Sequence, residues 1–102
     1  MRPPTSFSRV VERKRYNVET ATLLAGDDYW DGHNHERNGN QVFLYRTQRG
    51  AYFVVRLTQW QDAKDTLTPI TLDEAIALYE GPLSEHRESY ESAFPGVEVE
   101  EA

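Results

Sequence analysis

Gln41-Val42-Phe43-Leu44-Tyr45-Arg46-Thr47-Gln48-Arg49-Gly50-Ala51-Tyr52-Phe53-Val54-Val55-Arg56-Leu57 decides the fold. Two runs of valine, aromatic and threonine residues, broken by Gln-Arg-Gly, spell a β-hairpin, because such side chains fit a pleated, half-buried surface and glycine closes a short turn. Gly50 is expected in the left-handed region, which it enters without steric cost. With Thr47 opposite Ala51, Tyr45 pairs with Phe53, Phe43 with Val55 and Gln41 with Leu57, while Leu44 pairs with Val54, Arg46 with Tyr52 and Val42 with Arg56. Side chains alternate between faces, so Phe43, Tyr45, Phe53, Val55 and Leu57 form the expected core face. The opposite face mixes Val42, Leu44, Tyr52 and Val54 with Arg46 and Arg56. It is expected to stay uncovered, either as a binding face or as a strand face whose arginine stems cover apolar neighbours.

A core face needs a cover, and the C-terminal part supplies a helix. Thr71 followed by Glu74 makes a capping box, Pro69 precedes it and Gly81-Pro82 ends the segment. Leu72, Ala75, Ile76 and Tyr79 form one apolar stripe, expected to lie on the Phe43 face. A second helix is expected over Glu85 to Ala93, capped by Ser84, with His86, Tyr90 and Phe94 or Ala93 inward. Between hairpin and helix, Thr58 to Thr68 reads as a loop. Before the hairpin, Ser8 to Tyr16 and Ala21 to Ala25 read as strands of an N-terminal hairpin joined through Asn17 to Thr20. The expected fold is α+β: about four antiparallel strands in two hairpins, packed by one or two C-terminal helices. Residues 8–94 are expected to form one domain, with 1–7 a disordered lead-in and 95–102 an acidic tail.

A chain of 102 residues has room for one core. The absence of cysteine excludes disulfides and thiolate metal sites. No run approaches the roughly 20 apolar residues of a membrane span, and Met1 to Ser6 lacks the apolar stretch of a signal peptide. A soluble, cytoplasmic protein is expected.

The net charge of −6 hides an asymmetry. Residues 1–72 hold ten Lys/Arg and eight Asp/Glu, a balance of +2; residues 73–102 hold Arg87 against nine acids, a balance of −8. The acidic block, with Glu85, Glu88 and Glu91, is either a solvated face or a surface that imitates a phosphate backbone toward a basic partner. Arg9, Arg13, Lys14 and Arg15 against Glu12 give a local +3, and Tyr16 adds an aromatic. Together with Arg46, Arg56 and Tyr52 this would suit nucleic acid, since cations neutralise phosphates and aromatics stack on bases. An acidic domain repels a polyanion unless its cations are contiguous, and cations along one strand split between two faces. Pairing with the C-terminal acids is therefore the expected arrangement, with direct nucleic-acid binding the alternative.

Asp27 to Asn40 is a long polar interval. His33 and His35, with Asp31 and Glu36, could offer a divalent metal such as zinc part of a ligand set and so support a metal-dependent enzyme. No further ligand stands at a diagnostic spacing, and no metal or other cofactor is expected. Tyr29 and Trp30 are either tucked onto the sheet or held as interface anchors. Ser84, His86 and Asp73 lack the arrangement that acyl transfer needs, and the glycines form no phosphate loop. A non-enzymatic protein is expected.

Tyr16-Asn17-Val18-Glu19-Thr20-Ala21-Thr22-Leu23-Leu24-Ala25, Leu44-Tyr45-Arg46-Thr47-Gln48-Arg49-Gly50-Ala51-Tyr52-Phe53 and Pro69-Ile70-Thr71-Leu72-Asp73-Glu74-Ala75 resemble a family of small proteins from phages and bacterial mobile elements. The family pattern is roughly Tyr-Asp-Thr-Glu-Thr-Ala, Leu-Tyr-Arg-Thr-x-x-Gly-x-Tyr/Phe-Phe and Pro-Leu-Ser/Thr-x-x-Glu-Ala, from which Asn17, Val18 and Ile70 depart. The resemblance implies a mobile-element origin. By analogy with other small acidic proteins of that source, it implies an anti-defence role such as that of anti-CRISPR inhibitors. The partner would be a host protein or ribonucleoprotein effector complex, met through Tyr29, Trp30, Arg46, Tyr52, Arg56, Glu85, Glu88 and Glu91.

Overall fold

A computed structural model describes residues 6–26, 40–58, 65–81, 83 and 85–99. Tyr29, Trp30, His33, His35 and Ser84 lie outside the described residues. In chain order come β1 (Ser8–Val11), β2 (Lys14–Asn17), β3 (Thr22–Gly26), β4 (Asn40–Arg46), β5 (Tyr52–Thr58), β6 (Thr66–Ile70), α1 (Leu72–Glu80), β7 (Glu85–His86) and α2 (Tyr90–Ala93). Strands β6-β5-β4-β3-β7 form an antiparallel five-stranded sheet, and β1 with β2 forms a separate two-stranded one. The protein is α+β.

The central hairpin has the register expected from its turn, from Gln41 opposite Leu57 to Arg46 opposite Tyr52. The Thr47 N–H donates to the Ala51 carbonyl at 2.8 Å and the Gly50 N–H to the Thr47 carbonyl at 3.0 Å. Gly50 has φ +88°, the left-handed value such a turn requires. Helix α1 also begins as expected: the Thr71 hydroxyl accepts from the Glu74 N–H, and the Glu74 carboxylate accepts from the Thr71 N–H.

Several expectations are corrected. Ser8 to Tyr16 is two strands, because Glu12 and Arg13 both adopt positive φ, 52° and 69°, and fold β1 back onto β2. Two left-handed residues in succession match the twist of a two-residue hairpin. Thr22–Gly26 therefore pairs with β4 rather than with the N-terminal segment. The stretch read as a loop contains β6, an edge strand on which Leu67 is buried between exposed Thr66 and Thr68. Pro69 is compatible with that edge, where a missing N–H leaves no ladder bond unmade. Finally, Glu85 and His86 pair with Gly26 and Ala25 as β7, so the second helix is only the turn Tyr90–Ala93, capped by Ser89.

The largest correction concerns which face α1 covers. Leu44 and Tyr52 pack with Leu24, Ala75, Tyr79, Leu83 and Phe94, so α1 and the C-terminal segment lie on the side expected to be open. Phe43, Tyr45, Phe53 and Val55 pack instead with Tyr16, Val18 and Leu67 beneath the N-terminal hairpin. Both faces of the sheet are covered. A bulge at Leu24 contributes to the first core by turning both Leu24 and Ala25 toward it. Among the described residues, basic β1–β2 packs on one face of the sheet and acidic α1 and α2 pack on the other.

Candidate functional site

Strand β2, with the residues on either side of it, runs beside the turn of the central hairpin. Between them lies a cleft of about 500 Å³, lined by Arg13, Lys14, Arg15, Tyr16, Asn17 and Thr20 on one wall and by Thr47, Gln48, Arg49 and Ala51 on the other. All four of its cations are exposed, and no carboxylate is among its described lining residues.

Each wall is held by local chemistry. Tyr16 anchors β2 by placing its ring edge-on to Phe53, with centroids 5.7 Å apart, and Phe53 in turn stacks on Tyr45 at 5.2 Å. The Asn17 side chain accepts from the Glu19 N–H at 2.9 Å, which shapes the turn carrying Thr20. Arg9 is used structurally: its guanidinium donates to the Leu67 carbonyl at 2.7 Å and ties β1 to β6. On the other wall the Thr47 hydroxyl accepts from the Ala51 N–H at 3.0 Å, fixing the loop that presents Arg49.

A second cavity of about 440 Å³ adjoins the cleft and shares Tyr16 and Ala51 with it. Its other walls are Arg46, Gly50, Tyr52, Ile70, Leu72 and Pro95. The Arg46 guanidinium lies beside the Tyr52 hydroxyl, which donates to the Ala93 carbonyl at 3.0 Å. Burial pushes the Tyr52 hydroxyl above its ordinary pKa, and the Arg46 charge partly opposes that shift. The phenol therefore remains a donor at neutral pH.

Of the residues singled out in the sequence, Arg46 and Tyr52 do come together as a cross-strand pair at this cavity. Tyr52 is only 8% exposed, so it offers an edge and not an open face. Arg56 is exposed four residues further along β5, roughly 13 Å away at the rise of a strand. Glu85 sits on edge strand β7, paired with Gly26. Glu88 and Glu91 flank Tyr79, whose pKa is raised by burial first and then by Glu91 and Glu88. The Tyr79 hydroxyl donates to the Glu88 carbonyl at 2.6 Å, and the His86 ring stacks on Tyr79 at 3.8 Å while its Nε2 donates to the Tyr79 carbonyl. Tyr90 donates to the Glu80 carboxylate at 2.8 Å.

No protein-family model, curated protein or solved structure matches the chain. Among the described residues there is no group of three His, Asp or Glu able to hold a metal ion. No helix among them is long and apolar enough to cross a membrane. Sequence reasoning missed the partnership of Arg49 with Arg13, Lys14 and Arg15, because it took residues 8–16 as one strand. The signal that could have revealed it was Glu12-Arg13 between two β-prone tetrapeptides, a turn position without the usual Asn or Gly.

Proposed function

We propose that this protein is a non-enzymatic binding module whose basic cleft takes the phosphates of a nucleic acid. The observation that carries this reading is the convergence of Arg13, Lys14, Arg15 and Arg49 on one concave surface with no carboxylate among its described lining residues. Contiguous cations neutralise phosphates and release their counterions, which makes binding favourable even for a protein of negative net charge. Glu80, Glu88 and Glu91 belong to the segment packed on the other face of the sheet, and the four cations outnumber Glu12 and Glu19 beside the cleft. A Debye length of about 8 Å at physiological salt weakens any repulsion that reaches around the sheet. The test is fluorescence anisotropy of labelled 12-nucleotide DNA and RNA at low salt. Arg13→Glu with Arg49→Glu, both exposed positions, is expected to weaken binding by tenfold or more without unfolding the protein. Absence of binding by the unaltered protein, or equal binding by the variant, would overturn the reading.

A second reading draws on the opposite face and on the resemblance to phage and mobile-element proteins. There the segregated carboxylates around Tyr79 and Tyr90 would meet a basic surface of a host effector complex, in the manner of an anti-defence inhibitor. Its test is protection of a phage or plasmid against host defence systems, with Glu80, Glu88 and Glu91 changed to lysine. Protection by neither form, or by both equally, would count against it.

A further inference from the structure

We infer that the cleft's ligand is single-stranded, and that one of its bases seats in the adjoining cavity walled by Arg46, Tyr52, Ile70, Leu72 and Pro95. The inference rests on the nucleic-acid reading of the cleft and specifies its substrate class.

The two concavities share Tyr16 and Ala51 yet differ in chemistry. One is rimmed by four cations; the other is walled by Tyr52, Ile70, Leu72 and Pro95 beside a single half-buried guanidinium. Charged phosphates belong in the first. The second offers a phosphate a single guanidinium in place of four cations. A neutral, planar, partly apolar group suits it, and about 440 Å³ is ample for one base. Leu72 strengthens the case. It belongs by spacing to the buried stripe of α1 but is 41% exposed at the cavity wall, where an apolar side chain gains from a cover. Arg46 lines the cavity and can place its guanidinium plane or its five donors against a base. A base paired within a duplex is not free to enter such a cavity, whereas a base of a single strand can be splayed into it. A mononucleotide shares phosphate and base but would engage only part of the four-cation rim.

The experiment compares fluorescein-labelled dT12, an abasic 12-mer with the same phosphates, the dT12·dA12 duplex and ATP as a competitor, all at about 50 mM salt. The abasic strand is expected to bind about 5- to 150-fold more weakly than dT12, the range seen for loss of one base contact. Leu72→Ala, an exposed change that leaves folding intact, is expected to narrow that gap by weakening dT12 and not the abasic strand. Equal affinity for dT12 and the abasic strand would overturn the base site while leaving the cleft's phosphate binding in place. Duplex binding as tight as dT12, or ATP binding tighter than it, would overturn the single-strand assignment. Binding of no probe would overturn the reading of the cleft itself.

Discussion

Tyr52→Phe removes one oxygen from the interface between the sheet and the C-terminal segment. The ring contact with Phe94, at 5.5 Å between centroids, survives the change, as does the strand. What is lost is the 3.0 Å hydrogen bond to the carbonyl of Ala93, a residue with no solvent exposure. A buried acceptor left without a donor costs about 1–3 kcal/mol. Arg46 is half-buried and can replace the neighbouring hydroxyl with water, which adds little. A destabilisation of about 1.5 kcal/mol follows, equivalent to roughly 6–12 °C in Tm for a domain of this size. Urea denaturation followed by far-UV circular dichroism reads it directly, and the slope of the transition should not change. A loss below about 0.5 kcal/mol, the scatter of neutral surface substitutions, would mean that the C-terminal segment does not cover this face.

Gly50→Ala meets no heavy atom within 4 Å, so its cost is conformational alone, about 1–2 kcal/mol for a left-handed alanine. Gly50→Asn is expected to cost less, and equal losses in the two variants by chemical denaturation would contradict the turn geometry. Glu12→Asn with Arg13→Gly relieves two left-handed non-glycine residues and is expected to stabilise by about 1 kcal/mol in thermal melts. The same change removes one cleft cation, so it should weaken nucleic-acid binding while raising Tm; a fall in both would refute the strain argument. Alkaline pH is the last perturbation. Burial pushes the Tyr45 hydroxyl up to about 12, opposed only in part by Arg87, and Tyr52, Tyr79 and Tyr90 are raised as well. A raised native pKa favours the neutral phenol, so this stability is complete below the ordinary tyrosine value and is lost as pH rises toward about 12. Stability measured across that window should fall, and Tyr45→Phe should make the fall shallower; a fall of unchanged steepness would contradict it.

The local elements with explicit turn or cap chemistry were legible in the sequence. Gly50 specified the central register, and Thr71 with Glu74 specified the start of α1. What the sequence did not yield was which layer covers which face. Both faces of the hairpin carry apolar residues, Leu44 and Tyr52 no less than Phe43 and Phe53, so alternation alone could not choose a core side. The choice depends on Glu12-Arg13, which turns the chain without the usual turn residues and frees the N-terminal segment to form its own hairpin. The same turn explains why the cleft stayed hidden. Arg46 and Tyr52 were visible as neighbours because they belong to the well-specified hairpin, whereas Arg13, Lys14 and Arg15 meet Arg49 only through tertiary packing of Tyr16 on Phe53.

The salt dependence of single-strand binding tests the cleft most directly. If Arg13, Lys14, Arg15 and Arg49 each neutralise one phosphate, the logarithm of affinity should fall with the logarithm of salt at a slope of about −2.8, which is roughly 50-fold between 50 and 200 mM. Replacing Arg49 with glutamine should reduce the slope to about −2.1. A slope near zero, or one that Arg49→Gln leaves unchanged, would contradict the assignment of this cleft to phosphates.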